Sequence, residues 1–227
     1  MVLWNNTNLR TKGIIVENIP TITKGKKRID TYEIEGRNGV LMVDKGTYDT
    51  FIVSLSCHFN ETNSLDEIKS FLDGYGKLSI DGVREYEAVV NNKIDFEEVA
   101  TSGFRSFPLQ FLCNPIAHSI LFSSASISES PTTINIDQTF NTYPTITLKG
   151  SGNVSITFNN KTFYLTNLNS TKTYLLDCET KEFYDGSNNN CSNQMNGDFP
   201  YLVPGNNTIS YTGTITRFDI SYKKAYL

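Results

Sequence analysis

The chain has 227 residues, of which 38% are hydrophobic, 12% aromatic and 19% charged. This composition excludes a disordered chain and is sufficient for one large or two ordinary domains. The formal net charge of −4 gives no overall positive field that would attract nucleic acid or anionic lipid.

No targeting or membrane-inserted segment is expected. Met1–Trp4 is followed directly by four polar residues, and no stretch approaches the ~20 apolar residues of a membrane span. We therefore expect synthesis in a cytoplasm, where free thiols are the default. Cys57 and Cys113 lie in apolar strand patterns, whereas Cys178 and Cys191 flank a loop and could approach each other.

Short strand patterns separated by turn signals fill the first hundred residues. The clearest is Phe51–Phe59, in which apolar and polar residues alternate as in a half-exposed sheet. Asn38-Gly39 predicts a tight turn before a strand at Val40–Val43, and Lys24–Arg28 is interpreted as a solvated hairpin tip. Further strands are predicted at Gly13–Ile19, Ile29–Ile34, Lys77–Ile80, Tyr86–Val90 and Ile94–Ala100.

One short helix is predicted at residues 64–73. Ser64 and Glu67 have the spacing of a capping box, and Gly74 is a typical helix terminator. The apolar residues that share one helical face are Leu65, Ile68, Phe71 and Leu72. A helix this short is marginal alone, so we expect it to pack on a sheet.

The apolar run Phe104–Pro115 is predicted to be the last strand of a first domain. Pro108 lacks a backbone donor, which favours an edge or a bulge, and Asn114-Pro115 is expected to end the strand. Charge, periodicity and helix content all change after this point. We therefore predict a β-rich domain at 1–117, a connector at 118–131 and a second domain at 132–227.

The second domain is predicted to be an antiparallel β-sandwich. Many short strand patterns are separated by turn residues, and no helical period is present. The strands are predicted at Thr145–Leu148, Val154–Phe158, Thr162–Leu165, Thr173–Asp177, Glu182–Tyr184, Thr208–Tyr211 and Arg217–Tyr222. Turns are expected at Gly150–Asn153, Asn159-Asn160, Asp185-Gly186, Gly205–Asn207 and Gly213.

No residues are assigned to catalysis, to a cofactor or to a metal. The sequence lacks the diagnostic motifs of hydrolases, metalloproteases and nucleotide-binding proteins. His58 and His118 each lie near a cysteine, but the spacings are not those of zinc ligands. Gly150–Asn153 precedes a strand pattern rather than a helix, so a hairpin turn is favoured over a phosphate-binding loop. The expectation is a protein that is not an enzyme.

Three stretches make the chain resemble the distal tail (Dit) proteins of bacteriophages with long non-contractile tails. The first is Tyr32–Val40, which contains the turn Ile-x-Gly-Arg-Asn-Gly, and the second runs from Leu78 to Pro115. The third combines Tyr143–Gly152 with Asn196–Ser210, whose Gly-Asp-Phe-Pro-x-Leu-x-Pro-Gly-x-Asn-x-Ile pattern is the most specific. The resemblance covers nearly the whole chain.

The resemblance implies a structural protein of the tail tip or baseplate, located in the virion and assembled in the host cytoplasm. Its N-terminal domain is expected to form a hexameric, tail-tube-like ring that joins the tail tube protein to the tail-associated hub protein. Its C-terminal domain is expected to resemble a galectin or a carbohydrate-binding module. Receptor-binding proteins or a host cell-wall saccharide are possible further partners.

The alternative is a free-standing carbohydrate-binding or adhesion module. It requires export and aromatic side chains exposed for stacking on sugars, and alternation instead assigns most second-half aromatics to the core. The only tryptophan, Trp4, lies near the N-terminus. The Asn-rich segment 185–196 matches no function of the resembled family.

Overall fold

The computed structural model describes residues 1–18, 20–21, 23–60, 64–98 and 104–227. It contains two compact units, Met1–Ile120 together with Leu227, and Leu121–Tyr226. The sheets are antiparallel and the chain is mainly β, which confirms the predicted fold class. The finer division at 117 and 131 stays a prediction, and residues 19, 99 and 100 of two predicted strands lie outside the described residues.

The first unit contains a main sheet, one helix and one separate hairpin. Its strands are β1 Leu3–Trp4, β2 Thr7–Asn8, β3 Ile14–Val16, β4 Lys27–Glu33, β5 Val40–Tyr48, β6 Phe51–Asn60, β7 Tyr75–Ser79, β8 Arg84–Val90, β9 Glu97–Glu98 and β10 Phe104–Ser119. The main sheet has the order β2-β1-β7-β8-β10-β6-β3, with β9 also pairing with β10. Strands β4 and β5 form a two-stranded sheet of their own.

The helix α1, Leu65–Leu72, closes the core of the first unit. Ile68 and Leu72 are buried, and Trp4 Nε1 donates a hydrogen bond to the Phe71 carbonyl at 3.0 Å. The Ser64 side chain makes no capping hydrogen bond, so this half of the predicted capping box is wrong. Instead, Asp66 and Glu67 in the first turn stabilise the helix, because their negative charges lie near the positive end of the helix dipole.

Pro108 lies inside the main sheet, and the prediction of an edge strand is wrong. Pro108 stands opposite Ser56 of β6. The Ser56 carbonyl faces away from β10 and accepts a hydrogen bond from Glu17 N, so Pro108 and Ser56 are a pair that exchanges no backbone hydrogen bonds. The missing donor of Pro108 therefore costs no hydrogen bond between β6 and β10. On the other side of Pro108, the side-chain amide of Asn92 makes the hydrogen bonds that the backbone of a neighbouring strand would otherwise make. Asn92 Nδ2 donates to the Pro108 carbonyl at 2.8 Å, and Asn92 Oδ1 accepts from Gln110 N at 2.7 Å.

Strand β10 also continues through Asn114-Pro115 to Ser119, so the predicted stop is wrong. Its pairing with β8 shifts register between Cys113 and Ala117. An irregularity of this kind lets a strand pass a proline, which cannot donate to the ladder.

The second unit is built around two long strands, β13 and β18. Its strands are β11 Ser123–Ser126, β12 Thr132–Ile136, β13 Thr145–Phe158, β14 Lys161–Leu168, β15 Tyr174–Asp177, β16 Glu182–Asp185, β17 Met195–Asn196, β18 Gly205–Tyr222 and β19 Ala225–Tyr226. The order is β11-β18-β13-β14-β17. Strand β12 also pairs with β18, and β15 pairs with β13 and β16.

Four of the predicted short strands are fused into β13 and β18. The turns predicted at Gly150–Asn153 and Gly213 are bends inside these strands, where the register shifts. The glycines allow close approach of the backbones, since a Cβ at Gly150 would lie 2.5 Å from the Thr214 carbonyl oxygen. A Cβ at Gly213 would lie 2.6 Å from the backbone carbonyl oxygen of Asn153. The glycines therefore bend the strands instead of ending them.

Each unit has its own hydrophobic core. The first is centred on Trp4, Val53, Phe59, Leu109 and Phe111, and the second on Ile156, Phe163, Leu176, Leu202 and Ile220. Separate cores are the physical condition for separate folding. Whether the second unit is a galectin-like sandwich stays a prediction.

Candidate assembly surfaces

The hairpin of β4 and β5 is the most unusual surface of the first unit. Large hydrophobic side chains are normally buried, yet the apolar residues of this hairpin are 37–67% exposed. They are Ile29, Tyr32, Ile34, Val40, Leu41, Met42 and Val43. An exposed apolar set of this size is typical of an interaction surface.

Both faces of the hairpin carry apolar side chains. Directly opposed residues of antiparallel strands point to the same face. One face therefore holds Tyr32 opposite Leu41, with Val43 one level nearer the base. The other face holds Met42 opposite Thr31. The distal half of the hairpin is thus apolar on both sides.

Ion pairs stabilise the base of the hairpin. Lys27 pairs with Asp44 across the strands, and Lys45 Nζ lies 2.7 Å from Asp30 Oδ1. The Lys27 ammonium and the backbone amide of Gly46 hold the pKa of Asp44 below its ordinary value. Charge at the base is therefore compensated within the hairpin.

The basic cluster Lys24–Arg28 lies at the base of the hairpin, so its predicted position at the tip is wrong. The turn is made by residues 34–39, where Gly36 and Gly39 have positive φ. Arg28 Nε lies 2.6 Å from Asp49 Oδ1. A Cβ at Gly25 would lie 2.6 Å from the Asp49 carbonyl oxygen, so the chain there requires glycine.

The signature segment Asn196–Ser210 forms a rigid turn into β18. Leu202 is fully buried and exchanges two backbone hydrogen bonds with Thr142. Asn207, also fully buried, accepts from Val203 N and donates to the Val203 carbonyl, both at 2.8 Å. The segment has a folding role. The pattern quoted from the sequence contains both Leu202 and Asn207, but it does not reveal that Asn207 is buried.

A buried carboxylate organises the Asn-rich segment 185–196. Asp185 is 1% exposed and accepts from Lys172 Nζ at 2.7 Å and from the backbone amides of Ser187 and Asn189 at 3.0 Å. The bond from Lys172, followed by those from Asn189, strongly lowers the pKa of Asp185. The loop is therefore held in one conformation, with residues 186–190 exposed.

Two tyrosines of the second unit stand exposed, although alternation assigns most of the second-half aromatics to the core. Tyr143 is 49% exposed and its ring centroid lies 6.2 Å from that of Tyr201, while Tyr164 is 51% exposed. Lys161 Nζ lies 4.8 Å from the Tyr201 ring centroid. Tyr143, Tyr201 and Lys161 therefore form one aromatic cluster.

The four cysteines are free thiols and buried. Burial raises the pKa of Cys57 and of Cys113 to about 12. His58 Nδ1 lies 2.9 Å from Glu17 Oε1. Within the described ranges, no three acidic, histidine or cysteine residues are grouped to bind a metal ion.

In the described part of the chain, no helix has the length and apolar character needed to cross a membrane.

Comparison with known proteins finds a family model that matches part of the second unit. Residues 137–226 match the siphovirus-type tail component, C-terminal domain. No curated protein sequence matches the chain.

The chain is also similar to solved structures of phage proteins. One is the Dit protein (gp 19.1) of phage SPP1, described as a paradigm of the hub adsorption apparatus in phages that infect Gram-positive bacteria. The TM-score is 0.80 at 12% identity, over 100% of this chain and 98% of that chain. Another is a chain of the phage P2 baseplate in its activated conformation with Ca, with TM-score 0.49 and 8% identity, over 96% and 92%. The first likeness shows a shared fold over the full length.

Proposed function

We propose that the chain is a siphophage distal tail protein, a structural component of the tail tip or baseplate, and that six copies assemble into a ring. The ring joins the tail tube protein to the tail-associated hub protein. The first unit forms the ring and the second unit lies at its periphery. The protein resides at the tail tip of the virion after synthesis and assembly in the host cytoplasm.

The exposed hairpin is the observation that carries this proposal. Complete burial of one large apolar side chain contributes roughly 1.5–3 kcal/mol, so seven half-exposed side chains could contribute on the order of 5–10 kcal/mol. That gain is reached only when a partner covers the hairpin. Head-to-tail contacts between identical chains close into a ring when the rotation between them permits it.

The experiment compares the full-length protein with a variant that has a shortened hairpin. Replacing residues 31–42 by Asn-Gly keeps the pair Asp30 and Val43 and gives a favourable two-residue turn. We expect light scattering at high protein concentration, with the hub protein added if required, to give six times the chain mass of 25.5 kDa. The shortened variant should remain monomeric with unchanged tryptophan emission. A ring formed equally well by the shortened variant would contradict the role of the hairpin.

The second candidate function is carbohydrate binding by the second unit, as a peripheral activity or in a free-standing module. The exposed rings of Tyr143 and Tyr164 favour it, because aromatic faces stack on sugars. Mass in solution separates the two functions, since a free-standing module is expected to stay monomeric. A glycan binding measurement with Tyr143→Ala, compared with the wild type, tests the sugar contact directly.

A further inference from the structure

The sequence contains two Asn-Gly pairs, Asn38-Gly39 and Asn196-Gly197. An asparagine in this position is prone to lose its side-chain amide spontaneously, because glycine has no Cβ to hinder attack of its backbone nitrogen on the asparagine side chain. The reaction also requires that the backbone around the asparagine can rotate. The structure gives the two pairs opposite surroundings.

The pair Asn38-Gly39 lies in the exposed turn of the hairpin formed by β4 and β5. Arg37 N donates a hydrogen bond to the Ile34 carbonyl at 3.1 Å, and all of residues 34–39 are exposed. A Cβ added at Gly39, which has φ +81°, would meet no atom within 4 Å. Among the residues that the structure describes, none is hydrogen-bonded to the Asn38 side chain or to Gly39 N. The attacking nitrogen and the side chain that it would attack are therefore both accessible.

The pair Asn196-Gly197 is held in a sheet. Asn196 belongs to β17 and pairs with Tyr164 of β14. Gly197 packs on the same strand, since a Cβ there would lie 3.0 Å from the Phe163 Cβ and 3.1 Å from the Phe163 Cα. Rotation of the backbone at Asn196 requires these strands to separate, and local opening of this kind costs free energy. Asn196 is exposed like Asn38, so the difference between the two pairs lies in the backbone.

We propose that Asn38 is a site of spontaneous chemical modification and that the sheet protects Asn196 from the same reaction. The backbone nitrogen of Gly39 attacks Cγ of Asn38, so that a new N–Cγ bond closes a succinimide ring and the Cγ–Nδ2 bond breaks. Nδ2 leaves as ammonia and takes the amide proton of Gly39 with it. One water molecule then opens the ring at either carbonyl and gives aspartic or isoaspartic acid, which ionises at neutral pH.

The modification changes the charge of the hairpin turn. Residues 34–39 contain one acidic side chain, Glu35, and one basic side chain, Arg37, so the newly made turn is neutral. A carboxylate at position 38 makes the turn negative. Isoaspartate also lengthens the main chain between the two strands by one carbon atom. The tip of an otherwise apolar surface therefore acquires a charge as the protein ages.

Peptide mapping of the full-length protein tests the site. The protein is incubated at mildly alkaline pH and physiological temperature, digested with trypsin and analysed by tandem mass spectrometry. Cleavage after Arg37, Lys45, Lys181 and Arg217 places the two pairs in separate peptides. We expect Asn38 to convert at least an order of magnitude faster than Asn196. In a parallel incubation in urea, which removes the sheet, the two rates should agree within a few-fold.

The matched control is Asn38→Gln. Glutamine keeps the amide group, but its longer side chain must close a larger ring, which forms more slowly. Anion-exchange chromatography of aged wild-type protein should show a more negative species that the aged variant lacks. Circular dichroism and tryptophan emission of the two fresh proteins should be the same, because the side chain at position 38 is exposed.

Two results would overturn the inference. If Asn38 and Asn196 convert at equal rates in the folded protein, the sheet gives no protection and the structure does not select the site. If Asn38 converts far more slowly in the folded protein than in urea, the turn holds its backbone as firmly as a sheet does, and Asn38 is not a reactive site. Both results leave the proposed ring untouched, because the reaction takes place in the single chain.

Discussion

Phe111→Ala should destabilise the first unit while leaving the second unit intact. Phe111 is fully buried in the interior strand β10, and its ring centroid lies 4.9 Å from that of Trp4. Truncation of a buried phenylalanine to alanine costs about 3–5 kcal/mol, because transfer and cavity terms add. With a urea slope of about 2 kcal/mol/M, the midpoint should fall by roughly 1.5–2.5 M.

The assay exploits the single tryptophan of the chain. Trp4 is fully buried in the core of the first unit, so its emission reports the unfolding of that unit. Far-UV circular dichroism reports both units. The measurement is made at a concentration low enough to exclude assembly, which would otherwise add apparent stability.

The matched control is Phe163→Ala, which removes an equally buried ring from the second core. It should lower the circular dichroism transition of the second unit and leave the tryptophan midpoint unchanged. If Phe163→Ala lowered the tryptophan midpoint as much as Phe111→Ala does, the two units would unfold as one. The proposed division into two domains would then fail.

Three further outcomes are expected. Folding lowers the pKa of Asp185 below its ordinary value of 3.8. The Asp185 carboxylate therefore contributes its full stabilisation at pH values above 3.8, and this stabilisation is lost as the pH falls through the lowered pKa of the folded protein. Thermal melts from pH 7 to 3 should therefore show a weaker pH dependence for Asp185→Asn than for wild type. Gly213→Ala should cost more stability in urea titrations than Gly152→Ala, because both have positive φ but only Gly213 has a carbonyl oxygen 2.6 Å from the new methyl group. Amide hydrogens of β4 and β5 should exchange fast in the monomer and slowly in the ring, and equal protection would contradict their role in assembly.

Alternation in the sequence located most strands, because a sheet with one buried face forces a period of two. It could not separate a turn from a bend at Gly150 and Gly213. Both use glycine, and the difference lies in the approach of a partner strand that is distant in sequence. The prediction of an edge position for Pro108 failed for a similar reason, because the residue that accommodates it is distant in sequence. The Asn92 side chain occupies the place beside Pro108 where the backbone of a neighbouring strand would otherwise pair.

The candidate surfaces were only partly predictable. Asn38-Gly39 gave the hairpin turn, but alternation cannot tell whether an apolar face covers the core of its own chain or a partner. The resemblance rests most specifically on the turn segment near Leu202, which has a folding role and marks no contact.

The hairpin also couples its own order to assembly. A two-stranded hairpin alone is marginal in water, and exposed ion pairs such as Lys45 with Asp30 contribute only about 0–1 kcal/mol. The cross-strand pair Tyr32 and Leu41 adds a similarly small amount while half of each side chain stays in water. In the proposed ring, a partner surface that covers the hairpin therefore adds most of its stabilisation. If the ring forms as proposed, covering the hairpin also orders it, and ring closure and hairpin order become one equilibrium.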